Sequence, residues 1–231
     1  MGVISRTITW RVIDELAVRL SSATEHAIEE IVRRRSHAVN SAVEVLRLQH
    51  PDATPNDLAR LIVYQRARLS AIMGAVSALP GAVPGVGTAA EVGATLADVA
   101  ALVYAQVALV LAVAAAYDHD LDAHDERAAD VRVILALDVG VARFGTHGVE
   151  LPDGERLDPQ ARELSENLNR ELGSLVIKRT ARRRARIMLG REIPFGVGVA
   201  VGAGANFRIM RHTGRTALRY YEFTASPVAR T

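Results

Sequence analysis

Four polar residues recur at helical spacing on an otherwise apolar segment, and they are the first candidates for a binding or catalytic site. They are Thr88, Glu91, Thr95 and Asp98. Steps of three and four residues place these side chains on one face of a helix, and an unpaired carboxylate is too costly to bury there. The stripe therefore either pairs with arginines, such as Arg66, Arg68 or Arg208, or forms the polar mouth of an apolar ligand cavity.

Acid–base catalysis by Glu91 and Asp98 is the enzymatic interpretation of the same stripe. Neither a nucleophile nor a set of metal ligands accompanies these two carboxylates in the sequence. The sequence also contains no GxSxG, Walker, HExxH or dinucleotide-binding motif. A non-enzymatic protein is the favoured interpretation, and no cofactor is expected.

An acidic segment begins with three aspartates at alternate positions, Asp118, Asp120 and Asp122. This spacing resembles the start of a calcium-binding EF-hand loop, but Ala123 and Ala129 stand where the loop needs glycine and glutamate. His119 and His124 could ligate a metal, yet acidic residues at a helix N-terminus are explained equally well by the helix dipole. No metal site is therefore expected.

The charge of the chain is uneven along its length. Residues 179–231 carry eleven arginines against two glutamates, whereas residues 118–171 carry 14 acidic residues against six arginines. The basic region either binds an anionic partner or is neutralised by the acidic region, within the fold or across a homodimer.

The densest basic run, over residues 178–191, belongs to a predicted helix that begins near Pro159 and ends at Leu189, with Gly190 as its C-cap. The arginines expected at an anionic surface are Arg182, Arg183, Arg184 and Arg186. A solvated helix face is the ordinary role of such a run, and adsorption to anionic lipid headgroups is the functional one. Nucleic acid is disfavoured because no aromatic residues interleave with the arginines.

Apolar periodicity predicts helices along nearly the whole chain. A first helix is expected to end near residues 21–22, and a second to run over residues 24–48. The next begins at Pro55 behind the N-cap Thr54, with Asp57 in its first turn. A glycine- and proline-rich turn is expected over residues 79–87, and a loop over residues 148–157.

Two further predicted helices have an unusual composition. The central one, over residues 88–117, carries no charge in its second half, but Gln106 interrupts it and a buried core helix is favoured over a membrane span. The last, over residues 193–221, is rich in glycine, and a strand is the competing interpretation. Gly198 and Gly202 allow a close backbone approach, which we expect against the central helix. Asn206, one turn later, is expected to cross-link that contact or to bind ligand.

Composition sets the class of the whole protein. Hydrophobic residues make up 49% of the chain and aromatic residues only 4%, so small aliphatic side chains must form the core. We expect an all-α bundle of about six to seven helices, with one domain over residues 1–222 and a flexible tail over residues 223–231. Because the N-terminal segment lacks the apolar run of a signal peptide, a cytoplasmic location is expected, free or peripheral at the inner face of the membrane.

Five short motifs follow one another between residues 56 and 221. They are LPGAVPGVGT, AAAYDHDL, DERAADVRVILAL, LGREIPFGVGVAVGAGANF and RYY. This order resembles the EcsC family of bacterial proteins. The resemblance implies a helical, cytoplasmic or membrane-associated protein without an established reaction, and it supplies no catalytic residues.

The favoured function is binding of a hydrophobic ligand or lipid, or peripheral membrane association. In this prediction the helices over residues 88–117 and 193–221 enclose an apolar pocket, while the arginines face anionic lipid. The alternative is a structural or interaction protein that forms a homo-oligomer and has no small-molecule ligand.

Overall fold

The computed structural model describes the backbone of residues 2–76, 88–145, 148–151, 156–157 and 197–225. Side chains are described for residues 26–74, 100–145, 148–151 and 202–225. Five helices lie in this part of the chain: α1 (Gly2–Gln49), α2 (Pro55–Val76), α3 (Thr88–Ala116), α4 (His124–Asp138) and α5 (Val197–Ala225). The mostly helical fold is thus confirmed, and the total of six to seven helices stays a prediction. The predicted turn over residues 79–87 and the predicted helix over residues 159–189 lie outside the described residues.

The first helix is longer than predicted. The expected break near residues 21–22 is wrong, because α1 runs without interruption from Gly2 to Gln49. Residues 3–49 contain neither glycine nor proline, and a hydroxyl side chain need not end a helix, since it can donate to a carbonyl one turn earlier. Ser36 makes this bond to the Val32 carbonyl at 2.8 Å.

The start of α2 follows from its local sequence. The Thr54 hydroxyl accepts a hydrogen bond from the Asp57 amide at 3.2 Å, and the Asp57 carboxylate in turn accepts from the Thr54 amide at 3.3 Å. These reciprocal bonds satisfy backbone donors that the first turn would leave unpaired. Hydrogen bonding from Thr54 also lowers the pKa of Asp57. The predicted helix start is confirmed.

The end of α3 is fixed by its own backbone and by α1. Asp118 adopts φ 62°, and the amides of Asp118 and His119 donate to the carbonyls of Ala115 and Ala114, each at 3.1 Å. These are the bonds of a Schellman cap. Arg47 of α1 donates to the Ala115 carbonyl at 3.0 Å and to the Asp118 carboxylate at 2.7 Å, so the acidic segment is tied to α1.

A small antiparallel sheet corrects the strictly all-α prediction. Strands β1 (Arg143–Gly145), β2 (Gly148–Glu150) and β3 (Arg156–Leu157) pair in the order β1-β2-β3, so the loop expected over residues 148–157 is wrong at residues 148–150 and 156–157. Strands of two or three residues are too short to show an alternating pattern. Val149 of β2 and Leu151, which follows that strand, are buried in the core.

The core is centred on α3. Every residue from 107 to 116 is buried, which agrees with the prediction of a core helix that packs on all sides. Among the described residues, no helix combines the length and the hydropathy that crossing a membrane requires.

Helices α2 and α5 form an antiparallel pair beside α3. The Asn56 amide donates to Glu222 at 2.7 Å at one end, and the Asn206 amide donates to the Ser70 carbonyl at 3.2 Å towards the other. The glycine-rich segment is helical, as predicted. Its described close contact lies between Gly202 and Gly74 of α2, whereas the sequence pointed to α3 as the partner.

Candidate anion-binding groove

The structure separates the predicted site residues into three groups. Thr88, Glu91, Thr95 and Asp98 lie in the helical backbone of α3, but their side chains are outside the described residues. Arg182, Arg183, Arg184 and Arg186 are outside them altogether. Asn206 is described, is 6% exposed and cross-links α5 to α2 through the Ser70 carbonyl. Its role in ligand binding stays a prediction.

A groove between α2 and α5 brings together arginines that the sequence analysis did not single out. It encloses about 430 Å³ and is lined by Arg60, Val63, Tyr64, Arg211, Arg215, Leu218, Arg219 and Glu222. We refer to these residues as the arginine groove. Four of the eight are arginines and one is a glutamate, so the lining is strongly positive.

The helical period of α5 puts its arginines on the groove. Arg211, Arg215 and Arg219 follow one another at steps of four residues, so they lie along one face of the helix. The opposite face buries apolar and aromatic side chains, including Met210 and Tyr221, against the core. From α2, Arg60 reaches the same groove and donates to the Asn56 side chain at 2.6 Å.

The α5 arginines of the groove are not neutralised by the acidic region where the structure describes both. Arg211, Arg215 and Arg219 form no ion pair with a described carboxylate. Instead, the Arg211 guanidinium lies over the Phe207 ring at 5.6 Å, and that of Arg219 over the Phe144 ring at 4.9 Å. Cation–π contact of this kind orders a guanidinium but leaves its charge uncompensated.

Four of the described acidic side chains between residues 118 and 150 are engaged elsewhere. Their partners are Arg47 for Asp118, Arg127 for Asp130, His212 for Asp138 and Arg143 for Glu150. These contacts use arginines of α1, α4 and β1, and a histidine of α5. Within the described part of the chain, the predicted neutralisation of the C-terminal arginines by the acidic region is therefore not observed.

A buried polar network anchors the middle of α5. The Asp138 side chain is 1% exposed and contacts the His212 imidazole through one oxygen. Its other oxygen lies 3.3 Å from the Gln106 amide and 3.2 Å from the Thr213 hydroxyl. A buried carboxylate requires such partners. The network fixes the rotation of α5 relative to α3 and α4, and hence the direction of its arginines.

A second network anchors the C-terminal turns of α5. The Tyr220 and Tyr221 hydroxyls donate to the Asp130 carboxylate at 2.7 and 3.3 Å, and Arg127 lies 3.1 Å from it. Burial raises the pKa of Asp130, opposed by the Arg127 charge and the tyrosine hydrogen bonds, and burial also raises the pKa of Tyr221. The His119 ring lies 4.8 Å from that of Tyr221, and burial followed by the Arg127 charge lowers its pKa.

Among the described residues, no group of three or more histidine, aspartate or glutamate side chains is arranged to hold a metal ion. Comparison of the chain with protein-family models, curated proteins and solved structures gives no match. The resemblance to the EcsC family therefore stays a prediction.

Proposed function

We propose that this is a non-enzymatic binding protein that attaches to anionic, phosphate-bearing lipid surfaces through the arginine groove. The observation that carries the proposal is the set of four arginines in one groove, of which the three on α5 have no described acidic partner. A guanidinium presents paired donors that match phosphate oxygens, which makes arginine suited to this contact.

Exposed apolar side chains on α2 support attachment to a lipid surface. Leu69, Ile72 and Met73 are 53%, 60% and 62% exposed, and Tyr64 within the groove is 50% exposed. Exposed large apolar side chains are typical of proteins that lie at the membrane interface. Tyr64 lies in the arginine groove, whereas the helical period places Leu69, Ile72 and Met73 on another face of α2.

Several predictions from the sequence extend this proposal. The predicted helix over residues 159–189 would add Arg182, Arg183, Arg184 and Arg186 to the cationic surface, as the sixth helix of the bundle. The stripe of Thr88, Glu91, Thr95 and Asp98, with Asn206, would form the polar mouth of an apolar pocket for a lipid or another hydrophobic ligand. The expected location is the cytoplasm, at the inner face of the membrane.

Vesicle co-sedimentation tests the proposal. The full chain should bind vesicles of phosphatidylcholine mixed with phosphatidylglycerol and should not bind phosphatidylcholine alone, and salt should weaken the binding because it screens the charges. Changing Arg215 and Arg219 to glutamine should cost about 2 kcal/mol, or roughly thirtyfold in affinity, at about 1 kcal/mol per arginine.

A matched control separates the groove from net charge. Arg33 and Arg34 on α1 have side chains 63% and 75% exposed, and changing both to glutamine removes the same charge. This control should bind acidic vesicles nearly as the wild type does. Equal binding of the wild type to acidic and neutral vesicles, or equal losses in the two double variants, would rule the proposal out.

Self-association is the second candidate function. Leu48 and Val45 near the end of α1 are 81% and 54% exposed, and an exposed apolar surface can be covered by a second copy of the chain. Sedimentation equilibrium of the wild type and of a Leu48→Gln variant tests this. A concentration-dependent dimer that the variant weakens would support an interaction protein, and a monomer at all concentrations would exclude it.

A further inference from the structure

The arginine groove contains two ordered guanidinium groups that are set well apart. Arg211 is stacked over Phe207 and Arg219 over Phe144. Eight residues separate the two arginines along α5, which corresponds to about 12 Å at the rise of an α-helix. A single phosphate group cannot contact both at once, because the two stacked positions are held by different rings.

Stacking matters because it orders each guanidinium before a ligand arrives. A free arginine loses side-chain entropy when it binds, and a preordered one loses less. The ring covers one face of the guanidinium and leaves its N–H edge available for an oxyanion. Each stacked arginine is therefore the fixed part of a separate phosphate position.

The other two arginines of the groove are consistent with two separate phosphate positions. Arg215 lies midway between the two stacked arginines, and Arg60 approaches from α2. Arg60 belongs to the end of the groove near Arg219, because Asn56, to which it is hydrogen-bonded, contacts Glu222. Four arginines against one glutamate leave more positive charge than one phosphate monoester, with about −1.5 to −2 near pH 7, would balance.

We infer that the arginine groove binds two phosphate groups at once, one at Arg211 and one at Arg219, so that its ligand is a bisphosphate or a pair of adjacent phosphate headgroups. This inference rests on the proposed function for the phosphate chemistry of the ligand. It adds the number of phosphates and their arrangement along α5. A bisphosphate is held at both positions, so its second contact forms at a high effective concentration.

Soluble probes test the two positions without a membrane. The binding of butyl phosphate to the full chain is compared by calorimetry with that of alkanediol bisphosphates of increasing chain length. At least one bisphosphate should bind about tenfold more tightly than butyl phosphate. Arg211→Gln and Arg219→Gln should each abolish that advantage while leaving the affinity for butyl phosphate within about threefold, as expected when one of two positions is lost.

The controls make each outcome decisive. Arg33→Gln should keep the full advantage, and thermal melts establish that every variant is folded. The inference is overturned if no bisphosphate exceeds the twofold statistical gain over butyl phosphate, if no probe binds, or if either groove variant retains the advantage. Vesicle binding without a bisphosphate advantage overturns only the two-position inference. A bisphosphate advantage without vesicle binding supports it, identifies a soluble ligand and overturns the membrane proposal.

Discussion

Replacing Gly74 with alanine tests the close contact that joins α2 to α5. A Cβ atom at this position would lie 2.5 Å from the Asn206 amide nitrogen and 2.9 Å from the carbonyl oxygen of Gly202. The carbonyl belongs to the backbone of α5, and the amide is held by the Ser70 carbonyl at 3.2 Å. Neither neighbour can move away without losing an interaction.

The size of the effect follows from three terms. Alanine is preferred over glycine within a helix by roughly 0.5–1 kcal/mol. Inserting a methyl group into a closely packed contact costs about 1–3 kcal/mol, and displacing the buried Asn206 amide from its acceptor costs about 1–3 kcal/mol more. The expected result is a free energy of unfolding lower by about 1–5 kcal/mol.

The same substitution at Gly204 is the matched control. Gly204 also lies in a helix, but a Cβ there would have no neighbour within 4 Å, so Gly204→Ala should stabilise the protein by up to about 1 kcal/mol. Urea unfolding followed by circular dichroism measures both variants, and each kcal/mol should shift the melting temperature by roughly 2–4 °C. If Gly74→Ala is as stable as Gly204→Ala, the close contact between α2 and α5 is wrong.

Two further predictions concern the ends of α3 and α4. The pKa of His119 lies below its ordinary value of 6.5 in the folded state, so protonation favours unfolding; stability is complete above about pH 6.5 and falls below it. His119→Phe should therefore lose less stability than the wild type between about pH 7.5 and 5 in urea titrations, and equal losses would contradict the assignment. Gly140 ends α4 at φ 71°, so Gly140→Ala should lower the free energy of unfolding by about 1 kcal/mol and Gly140→Asn by less; an alanine variant as stable as the wild type would exclude strain at this position.

Features encoded by neighbouring residues were predictable from the sequence. The start of α2 depends on Thr54, Pro55 and Asp57, which lie within one turn of each other and supply their own hydrogen bonds. The buried α3 follows from an uncharged run that is too long to be exposed and too rich in alanine to suggest a membrane span. In both cases the decisive interactions are local or depend only on composition.

Features that depend on contacts between distant residues were missed. The sheet consists of strands of two or three residues. Their local sequence indicates a loop only weakly, and pairing between the strands outweighs that preference. The arginine groove requires Arg60 and Arg219 to lie close together on two helices that are far apart in sequence. The sequence analysis instead placed the anion-binding surface in the denser basic run over residues 178–191. The spacing of Arg211, Arg215 and Arg219 was the available signal, but spacing alone does not identify the helix that lies opposite.

The groove and the close helix contact are parts of one seam between α2 and α5. At one end the seam contains Gly74 and Gly202, whose missing side chains let the backbones approach. Farther along, Gly214 accommodates Val63, which would lie 2.5 Å from a Cβ at that position, so an apolar floor sits directly beneath the arginines. An apolar floor excludes water and lowers the local dielectric constant, which strengthens attraction between a guanidinium and a phosphate. Small residues that first serve packing therefore also determine how strongly the arginine groove can hold an anion.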